Sequence, residues 1–122
     1  MDSGKLQSLK KLPLQATELG DTGLETISQL SEVRELNLSG TQITDAGMSY
    51  LAKMTNLQYL GIWPSEVSDV GLLQLKPLLN LDYLMVGPHI TEAAAKELQQ
   101  TIPSCRLDAY DAKGIDIFHL SK

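Results

Sequence analysis

The sequence predicts an α/β repeat protein, in which stacked units each contain a short strand and a helix. Three strings align at equal spacing, GDTGL at residues 20–24, TDAGM at 44–48 and SDVGL at 68–72, a step of 24 residues. Apolar positions recur with the same step. A period of about 20 to 50 residues indicates a stacked array, because a single unit cannot bury its apolar face alone.

The first half of each unit reads L-x-x-L-x-L, the alternating pattern of a short strand. Its apolar columns are Leu9, Val33, Leu57 and Leu81, then Leu12, Leu36, Leu60 and Leu84, then Leu14, Leu38, Ile62 and Val86. Continuing the pattern through Ile102, Cys105 and Leu107 predicts a fifth strand. Cys105 then fills a position normally held by Leu, so we expect a small buried hydrophobe rather than a nucleophile.

The second half of each unit predicts a helix, because apolar residues recur at spacings of three. The recurring residues are Ile27, Leu51 and Leu75, followed by Leu30, Met54 and Leu78. Thr44–Asp45 and Ser68–Asp69 suit a helix start, where a hydroxyl caps a free N–H and a carboxylate favours the positive end of the dipole. Thr91–Glu92 is a fainter copy of this start.

One helical position in each unit carries a small residue. It is held by Gly23, Gly47, Gly71 and, after a shift of one residue, Ala94. We expect these residues to permit close packing between the helices of neighbouring units, and not to form a phosphate loop.

Together, the L-x-x-L-x-L strand and the T/S-D-x-G-L helix start resemble the leucine-rich repeat family, in the subtype with this signature and 24-residue repeats. The resemblance covers about residues 6 to 110, and three copies keep both halves in register. It implies a leucine-rich-repeat solenoid with a short parallel sheet on the concave face and helices on the convex face. We expect residues 1–110 to form about four repeats, followed by a C-terminal cap or tail at 111–122.

One family feature is altered. The family often carries an Asn after the strand, whose amide bonds to backbone groups of adjacent turns. The corresponding column here is Thr17, Thr41, Ser65, His89 and, after the fifth strand, Tyr110. Hydroxyls both donate and accept hydrogen bonds, so they can replace the amide. We therefore interpret His89 as a structural member of this column, with a ligand or catalytic role as the alternative.

The composition argues against several classes of protein. A length of 122 residues suits one domain. The net charge of −5 gives no nucleic-acid or anionic-membrane footprint. The start MDSGKLQ lacks the apolar region of a signal peptide, and no run approaches the roughly 18 apolar residues of a membrane span. A single cysteine cannot form an internal disulfide, which favours a reducing, cytoplasmic location.

An interaction surface is predicted on the concave face, from the residues that alternate with the apolar columns. One outward column is Lys11, Glu35, Tyr59, Tyr83 and Ser104, the next is Pro13, Asn37, Gly61, Met85 and Arg106, and the third is Gln15, Ser39, Trp63, Gly87 and Asp108. The predicted partner-binding residues are Tyr59, Trp63, Tyr83 and Met85, flanked by Glu35, Asn37 and Arg106. Aromatic residues, Met and Arg are enriched where proteins bind each other. The alternative for Trp63 is that the C-terminal tail or the irregular turn folds over it.

The sequence does not predict an enzyme. It contains no phosphate loop or dinucleotide fingerprint, and His89 and His119 have no visible Cys, His or Asp partner set. We therefore expect no catalytic residues, no metal and no cofactor. A site that uses His89 with Tyr83 and Asp108 is the less favoured alternative.

The predicted function is recognition of another protein through the concave face, with neither nucleic acid nor membrane as a partner. The alternative is a structural role. Leu6 matches the last apolar position of a preceding helix, so we expect the array to start without a cap. The chain would then be an assembly subunit, or a fragment of a longer repeat protein, that forms homo-oligomers through its N-terminal edge.

The C-terminal tail leaves the repeat pattern. Its apolar residues are Ile115, Ile117, Phe118 and Leu120. We expect them to fold over the last repeat as a cap, with an extra strand or a peptide that docks elsewhere as the alternatives.

Overall fold

Short strands alternate with short helices in a computed structural model that describes residues 10–15 and 17–121. The strands are β1 (Lys11–Pro13), β2 (Glu35–Asn37), β3 (Tyr59–Gly61), β4 (Tyr83–Val86), β5 (Arg106–Tyr110) and β6 (Asp116–Leu120). The helices are α1 (Asp21–Ile27), α2 (Met48–Leu51), α3 (Asp69–Leu73) and α4 (Glu92–Thr101), and a 3-10 turn at Asp45–Gly47 runs directly into α2. Leu6 and Leu9, which the sequence analysis used to place the start of the array, lie outside the described residues.

The described strands form one sheet in sequence order, β1 to β6. Strands β1 to β5 run parallel, and β6 pairs antiparallel with β5. The register follows the sequence period, since Leu12 lies opposite Leu36, Leu36 opposite Leu60, and Leu60 opposite Leu84. The parallel sheet with its accompanying helices confirms the predicted fold class.

The apolar columns form the core between the sheet and the helices. Their fully buried members are Val33, Leu36, Leu38, Leu57, Leu60, Ile62, Leu81, Leu84 and Val86. Full burial of one such side chain contributes roughly 1.5–3 kcal/mol to folding. Leu12 and Leu14 of the first unit are only partly buried. Cys105 is buried among the core residues, as predicted.

An aspartate at each helix start bonds to the helix start of the next unit. The pairs are Asp21 with Thr44, Asp45 with Ser68, and Asp69 with Thr91. In each pair the carboxylate accepts one hydrogen bond from the backbone N–H, at 2.7–2.8 Å, and a second from the hydroxyl. Hydrogen bonds to an ionised acceptor are stronger than those between neutral groups. We call this set of bonds the aspartate ladder.

The Ser and Thr residues at the helix starts have a second role besides the predicted capping of their own helix. The hydroxyls of Thr44 and Thr91 also accept a backbone N–H of their own helix, so they act as the caps that the sequence indicates. The Ser68 hydroxyl makes no such cap bond and donates to Asp45 instead. Each Ser or Thr therefore joins two units, whether or not it also caps a helix.

The helix glycines provide space for the aspartate ladder. A Cβ atom at Gly47 would overlap the Asp21 carboxylate and the Leu24 side chain. A Cβ atom at Gly71 would overlap the Asp45 carboxylate in the same way. Close packing between neighbouring units is thus confirmed at both positions, and its cause is the approach of a carboxylate from the preceding helix.

The hydroxyl column after the strands bonds within its own turn. The Thr17 hydroxyl donates to Leu14 O at 2.8 Å, and the Thr41 hydroxyl donates to Leu38 O at 2.6 Å. Ser65 Oγ accepts an N–H two residues further along, at 3.4 Å. The prediction that these side chains replace an amide between adjacent turns is wrong, because a hydroxyl on so short a side chain reaches only its own turn.

Amide side chains do join adjacent units at another place, in the turns that follow the helices. Asn56 Nδ2 donates to Ser31 O at 2.8 Å, and Asn80 Nδ2 donates to Thr55 O at 3.0 Å. These two bonds repeat with the same 24-residue step, 56 to 80, as the strands do.

Strand β5 meets β4 in a different register from the predicted one. Arg106 lies opposite Tyr83, and Asp108 lies opposite Met85. The sequence pattern placed Ser104 beside Tyr83 and Arg106 beside Met85, and this assignment is wrong by two residues.

The cause of the shift is the longer last helix. Helix α4 has ten residues, and Ile102 is its C-terminal cap residue rather than the first residue of a strand pattern. Cys105 N–H bonds back to Ile102 O at 3.0 Å, so the strand begins only after Cys105. Tyr110 therefore lies within β5, directly after Ala109, the partner of Val86, and not in the turn column.

The C-terminal tail forms β6, an extra strand on the sheet. Phe118 and Leu120 are partly buried and pack against the core. Ile115 and Ile117 are 60% and 45% exposed, so the prediction that all four residues cover the last repeat is wrong. Ile115 precedes the strand, and alternation along β6 turns Ile117 outward. The turn before β6 contains Gly114 at a φ of 83°, a conformation that favours glycine.

Gly47→Leu should destabilise the protein, because the new side chain must displace the Asp21 carboxylate and Leu24. Overpacking of this kind costs about 1–3 kcal/mol in the free energy of unfolding, which urea denaturation measures. Ala46→Leu is the matched control, since it adds the same side chain at the exposed neighbouring position. Equal stability of the two variants would contradict the packing assigned to Gly47.

Asp45→Ala should also destabilise the protein, because it removes both bonds to Ser68 and leaves a part-buried N–H without its acceptor. The expected loss in the free energy of unfolding is about 1–3 kcal/mol. Asp82→Ala removes the same charge at an exposed position and serves as the control. If both variants unfold at the same urea concentration, the aspartate ladder does not stabilise the stack.

Candidate functional site

The outer face of the sheet points away from the core and is the concave face of the predicted solenoid. The parallel register aligns its side chains in two rows. The first row is Lys11, Glu35, Tyr59, Tyr83 and Arg106, and the second is Pro13, Asn37, Gly61, Met85 and Asp108. Neighbouring strands lie about 4.8 Å apart, so side chains within one row contact each other.

The centre of this face is aromatic. The rings of Tyr59 and Tyr83 stack with centroids 5.2 Å apart and 8° between their planes. Both residues are half-buried, as is Met85 in the second row. Aromatic pairs contribute about 0.5–1.5 kcal/mol beyond their buried area, which favours one fixed arrangement of the rings. We call Tyr59, Tyr83 and Met85 the aromatic patch.

Charged side chains pair with each other on either side of the aromatic patch. Lys11 Nζ lies 3.1 Å from Glu35 Oε2, and Arg106 Nε lies 3.3 Å from Asp108 Oδ2. The Lys11–Glu35 pair is exposed and adds little stability, about 0.2–1 kcal/mol, whereas the Asp108 side chain of the second pair is only 4% exposed. Tyr59, Tyr83 and Met85, which lie between the two pairs, have no charged side chain among them.

An open groove lies on the N-terminal side of the aromatic patch. It is lined by Lys11, Leu12, Pro13, Glu35, Asn37 and Tyr59. The Asn37 side-chain oxygen accepts the N–H of Ser39 at 3.0 Å, which fixes the orientation of the amide. The groove brings together three of the predicted partner-binding residues, Glu35, Asn37 and Tyr59.

Asp108 is a buried carboxylate beside the aromatic patch, with 3% of its surface exposed. It accepts a hydrogen bond from the Tyr83 hydroxyl at 2.8 Å, and it faces Arg106 and His119. Burial alone would raise the pKa of Asp108, but the hydrogen bonds from Tyr83 and His119 and the Arg106 charge outweigh it and lower the pKa. Burial and the bond to Asp108 raise the pKa of Tyr83, which keeps its hydroxyl protonated as a donor.

His119 lies between two carboxylates. Its Nδ1 is 2.7 Å from Asp108 Oδ1, and its Nε2 is 3.1 Å from Asp116 Oδ2. The Tyr110 ring meets the imidazole edge-on at a centroid distance of 5.8 Å. The hydrogen bonds to Asp108 and Asp116 raise the pKa of His119, against the opposing effect of partial burial.

These contacts correct two expectations about the histidines. His119 has carboxylate partners, although the sequence analysis found none. The alternative catalytic site grouped His89 with Tyr83 and Asp108, but His119 occupies that place. His89 is half exposed and lies 3.5 Å from the surface residue Glu66.

The sequence does contain a signal for the contact between Asp108 and His119. The letters DAKG at 111–114 suit a tight turn between antiparallel strands, because Asp and Gly favour turn conformations. Pairing the chain around that turn places Asp108 opposite His119. Treating residues 111–122 as a cap hid this pairing.

Trp63 lies beyond the end of β3 and contacts the C-terminal hairpin, which consists of β5, β6 and the turn between them. Its indole N–H donates to Asp111 O at 2.7 Å. The Tyr110 ring approaches edge-on, with centroids 6.1 Å apart, and Gly114 lies against the indole ring. The alternative expectation, that the tail folds over Trp63, describes this arrangement and explains why the side chain is half-buried.

Two further kinds of feature are absent from residues 10–15 and 17–121. No helix there is both long enough and apolar enough to cross a membrane. Within the same residues, no group of three or more His, Cys, Asp or Glu side chains is placed to hold a metal ion.

Comparisons with known proteins agree with the repeat pattern. A family model described as Leucine Rich repeat matches residues 31–52. The solved structure of internalin C2 from Listeria monocytogenes is similar at 33% sequence identity and a TM-score of 0.70, over 84% of this chain and 42% of that one. A leucine-rich-repeat protein of Leptospira interrogans shares the fold at 22% identity and a TM-score of 0.54, over 87% of this chain and 32% of that one. A search of curated proteins gave no match.

The repeat signature, the parallel sheet and these similarities define the class of protein: the chain belongs to the leucine-rich repeat family. Proteins of this family generally bind other proteins and are typically non-enzymatic. The chain spans less than half the length of each of these two solved structures.

Trp63 fluorescence in mildly acidic buffer should be blue-shifted and weakly quenched by acrylamide, because the hairpin covers one side of the indole. Asp111→Ala should increase the quenching, since it removes the carboxylate that accepts the N–H groups of Lys113 and Ile115 and so weakens the turn. Lys113→Ala, at an exposed position of the same turn, should leave the quenching unchanged. Strong quenching of wild-type Trp63 would contradict the contact.

Proposed function

We propose that this protein is a non-enzymatic interaction module that binds a protein partner on the outer face of its sheet. The aromatic patch supplies the anchors, and Glu35, Asn37 and Arg106 form the polar surroundings. The observation that carries the proposal is the stacked Tyr59–Tyr83 pair, held on a parallel sheet between two ion pairs.

The composition of the face supports this proposal. Protein interfaces concentrate binding energy in a few aromatic and Arg residues near the centre, surrounded by a polar rim. Tyr59 and Tyr83 are already ordered by their mutual stacking, so binding costs little additional side-chain entropy. The hydrogen bond from Tyr83 to Asp108 adds a second restraint on the same ring.

Trp63 has a different place in the proposal. Its N–H already donates to Asp111 O, so a partner would meet only the exposed part of the ring. We propose that Trp63 contributes apolar contact at the rim next to the hairpin, while the aromatic patch supplies the centre.

Self-association is the second candidate function. Strand β1 has a single described neighbour, β2, and Leu12 and Leu14 are only partly buried whereas their counterparts in the next three units are fully buried. Among the described residues β1 is the edge of the sheet, and an edge strand beside partly exposed leucines supports pairing with a second copy.

A cytoplasmic location stays a prediction, which rests on the single cysteine and on a start without a signal-peptide pattern.

Photo-crosslinking from the outer face tests the first proposal. A benzophenone amino acid is placed at Tyr59 and, as the control, at Tyr50, a half-buried tyrosine on the helix side of the core. A partner that is crosslinked from Tyr59 and not from Tyr50 is then purified and its Kd measured. Tyr59→Ala should weaken binding by about 2 kcal/mol, or roughly 30-fold in Kd, and Tyr50→Ala should not change it.

Two results would contradict the proposal. One is an equal loss of affinity in the Tyr50→Ala and Tyr59→Ala variants, which would place the interface elsewhere or indicate general unfolding. The other is a mass by light scattering that doubles as the protein concentration rises, without any partner that depends on Tyr59. This second result would favour self-association.

A further inference from the structure

Strand β6 is held to β5 by one histidine in addition to the backbone pairing of the two strands. His119 on β6 contacts Asp108 on β5 through Nδ1 and Asp116 on its own strand through Nε2. Asp108 is buried, whereas the Asp116 side chain is 67% exposed. A single imidazole thus contacts both a buried and an exposed carboxylate of the hairpin.

Counting protons at His119 identifies the form that fits this geometry. A carboxylate only accepts hydrogen bonds, and a neutral imidazole has only one N–H to donate. The neutral ring would therefore direct a lone pair at one of the two carboxylates, at 2.7 or 3.1 Å. The imidazolium form donates from both nitrogens and satisfies both Asp108 and Asp116.

Two other groups around His119, Arg106 and the Tyr83 hydroxyl, also donate to Asp108. On β5, Arg106 shares Asp108 and adds positive charge, and Tyr110 presents a neutral ring edge. On β4, the Tyr83 hydroxyl donates to the second Asp108 oxygen. On α4, the neutral Gln99 amide donates to the carbonyls of Leu120 and Ser121.

We propose that His119 is a pH-sensitive clamp in the C-terminal hairpin. In its imidazolium form it holds residues 111–120 against β5. On deprotonation it releases Asp116, and the turn and β6 loosen. The backbone pairs of β5 with β6, and the packing of Phe118 and Leu120, keep the strand attached in both forms. The change is therefore a local loosening around the turn and not an unfolding of the repeats.

The direction of the pH dependence follows from the pKa of His119, which the bonds to Asp108 and Asp116 raise. A group with a raised pKa in the folded state contributes its full stability below the unfolded value, about 6.5 for histidine. The contribution is lost as the pH rises through the folded-state pKa. The hairpin is thus held most firmly below about pH 6.5 and loosens as the pH rises through the folded-state pKa of His119.

Trp63 provides a readout within the chain, so no partner is needed. Its indole N–H bonds to Asp111 O at the base of the hairpin turn, and Asp111 in turn bonds to the N–H groups of Lys113 and Ile115. Loosening of the turn weakens this contact and exposes the indole. Trp63 is the only tryptophan, so the signal has one source.

The test is acrylamide quenching of Trp63 between about pH 5.5 and 8.5, a range that brackets the ordinary histidine pKa. Wild type should become more quenchable in one titration step, with a midpoint above about 6.5. His119→Gln should remove the step and keep the more quenchable state throughout. His89→Gln, the matched control, should keep the wild-type step, because the ion pair of His89 is with Glu66, outside residues 111–120.

Asp116→Asn provides an independent variant that retains the histidine and its buried partner. Losing one carboxylate should lower the pKa of His119 and move the step to lower pH, which NMR titration of the His119 ring also measures. A flat wild-type curve, a step that is lost with His89→Gln, or a step that Asp116→Asn leaves in place would each overturn the proposal. If His119→Gln fails to fold, the Asp116→Asn shift decides.

Discussion

The structure depends on a carboxylate that reaches from one helix start to the next. Each rung of the aspartate ladder satisfies a backbone N–H and a hydroxyl of the following unit, so it fixes both the distance and the rotation between units. The rung also explains the sequence around it. Asp must be long enough to reach, Ser or Thr must offer a second donor, and glycine must leave the path open, as Gly47 does for Asp21. Three residues of the repeat signature, the Ser or Thr, the Asp and the Gly, therefore serve one interaction.

The constant step between units determines what the outer face can present. Because β1 to β4 are offset equally, residues separated by one period stand side by side, and two tyrosines at 59 and 83 become a stacked pair. The same regularity places Lys11 next to Glu35. In a repeat scaffold, residues one period apart in the sequence thus become neighbouring side chains on the sheet. The helices on the other side of the core do not contribute to this arrangement.

The sequence predicted the positions of side chains on the sheet correctly where the 24-residue period is intact, and wrongly where the period is broken. The columns of Leu36, Leu60 and Leu84, and the rows that contain Tyr59 and Tyr83, followed directly from the 24-residue step. Between β4 and β5 the step is 23 residues, since Tyr83 pairs with Arg106. The sequence pattern continued from Tyr83 to Ser104, a step of 21, so Arg106 and Asp108 were assigned to the wrong rows. The contact of Asp108 with His119 crosses a turn that belongs to no repeat, and periodicity carries no information about it. The turn letters DAKG were the available signal, and they indicate local geometry only.

The aspartate ladder has a consequence for how such an array changes in length. Each joint between units uses the same kinds of group on both sides, so the segment 44–67 presents at its start what the segment 68–90 presents at its own. A duplication of one complete unit inside the array would meet the same partners at both new boundaries. It would lengthen the outer face by one strand, about 4.8 Å, and leave the C-terminal hairpin unchanged. Evolution can therefore adjust the reach of this protein by whole units, while insertion of any part of a unit would break a rung.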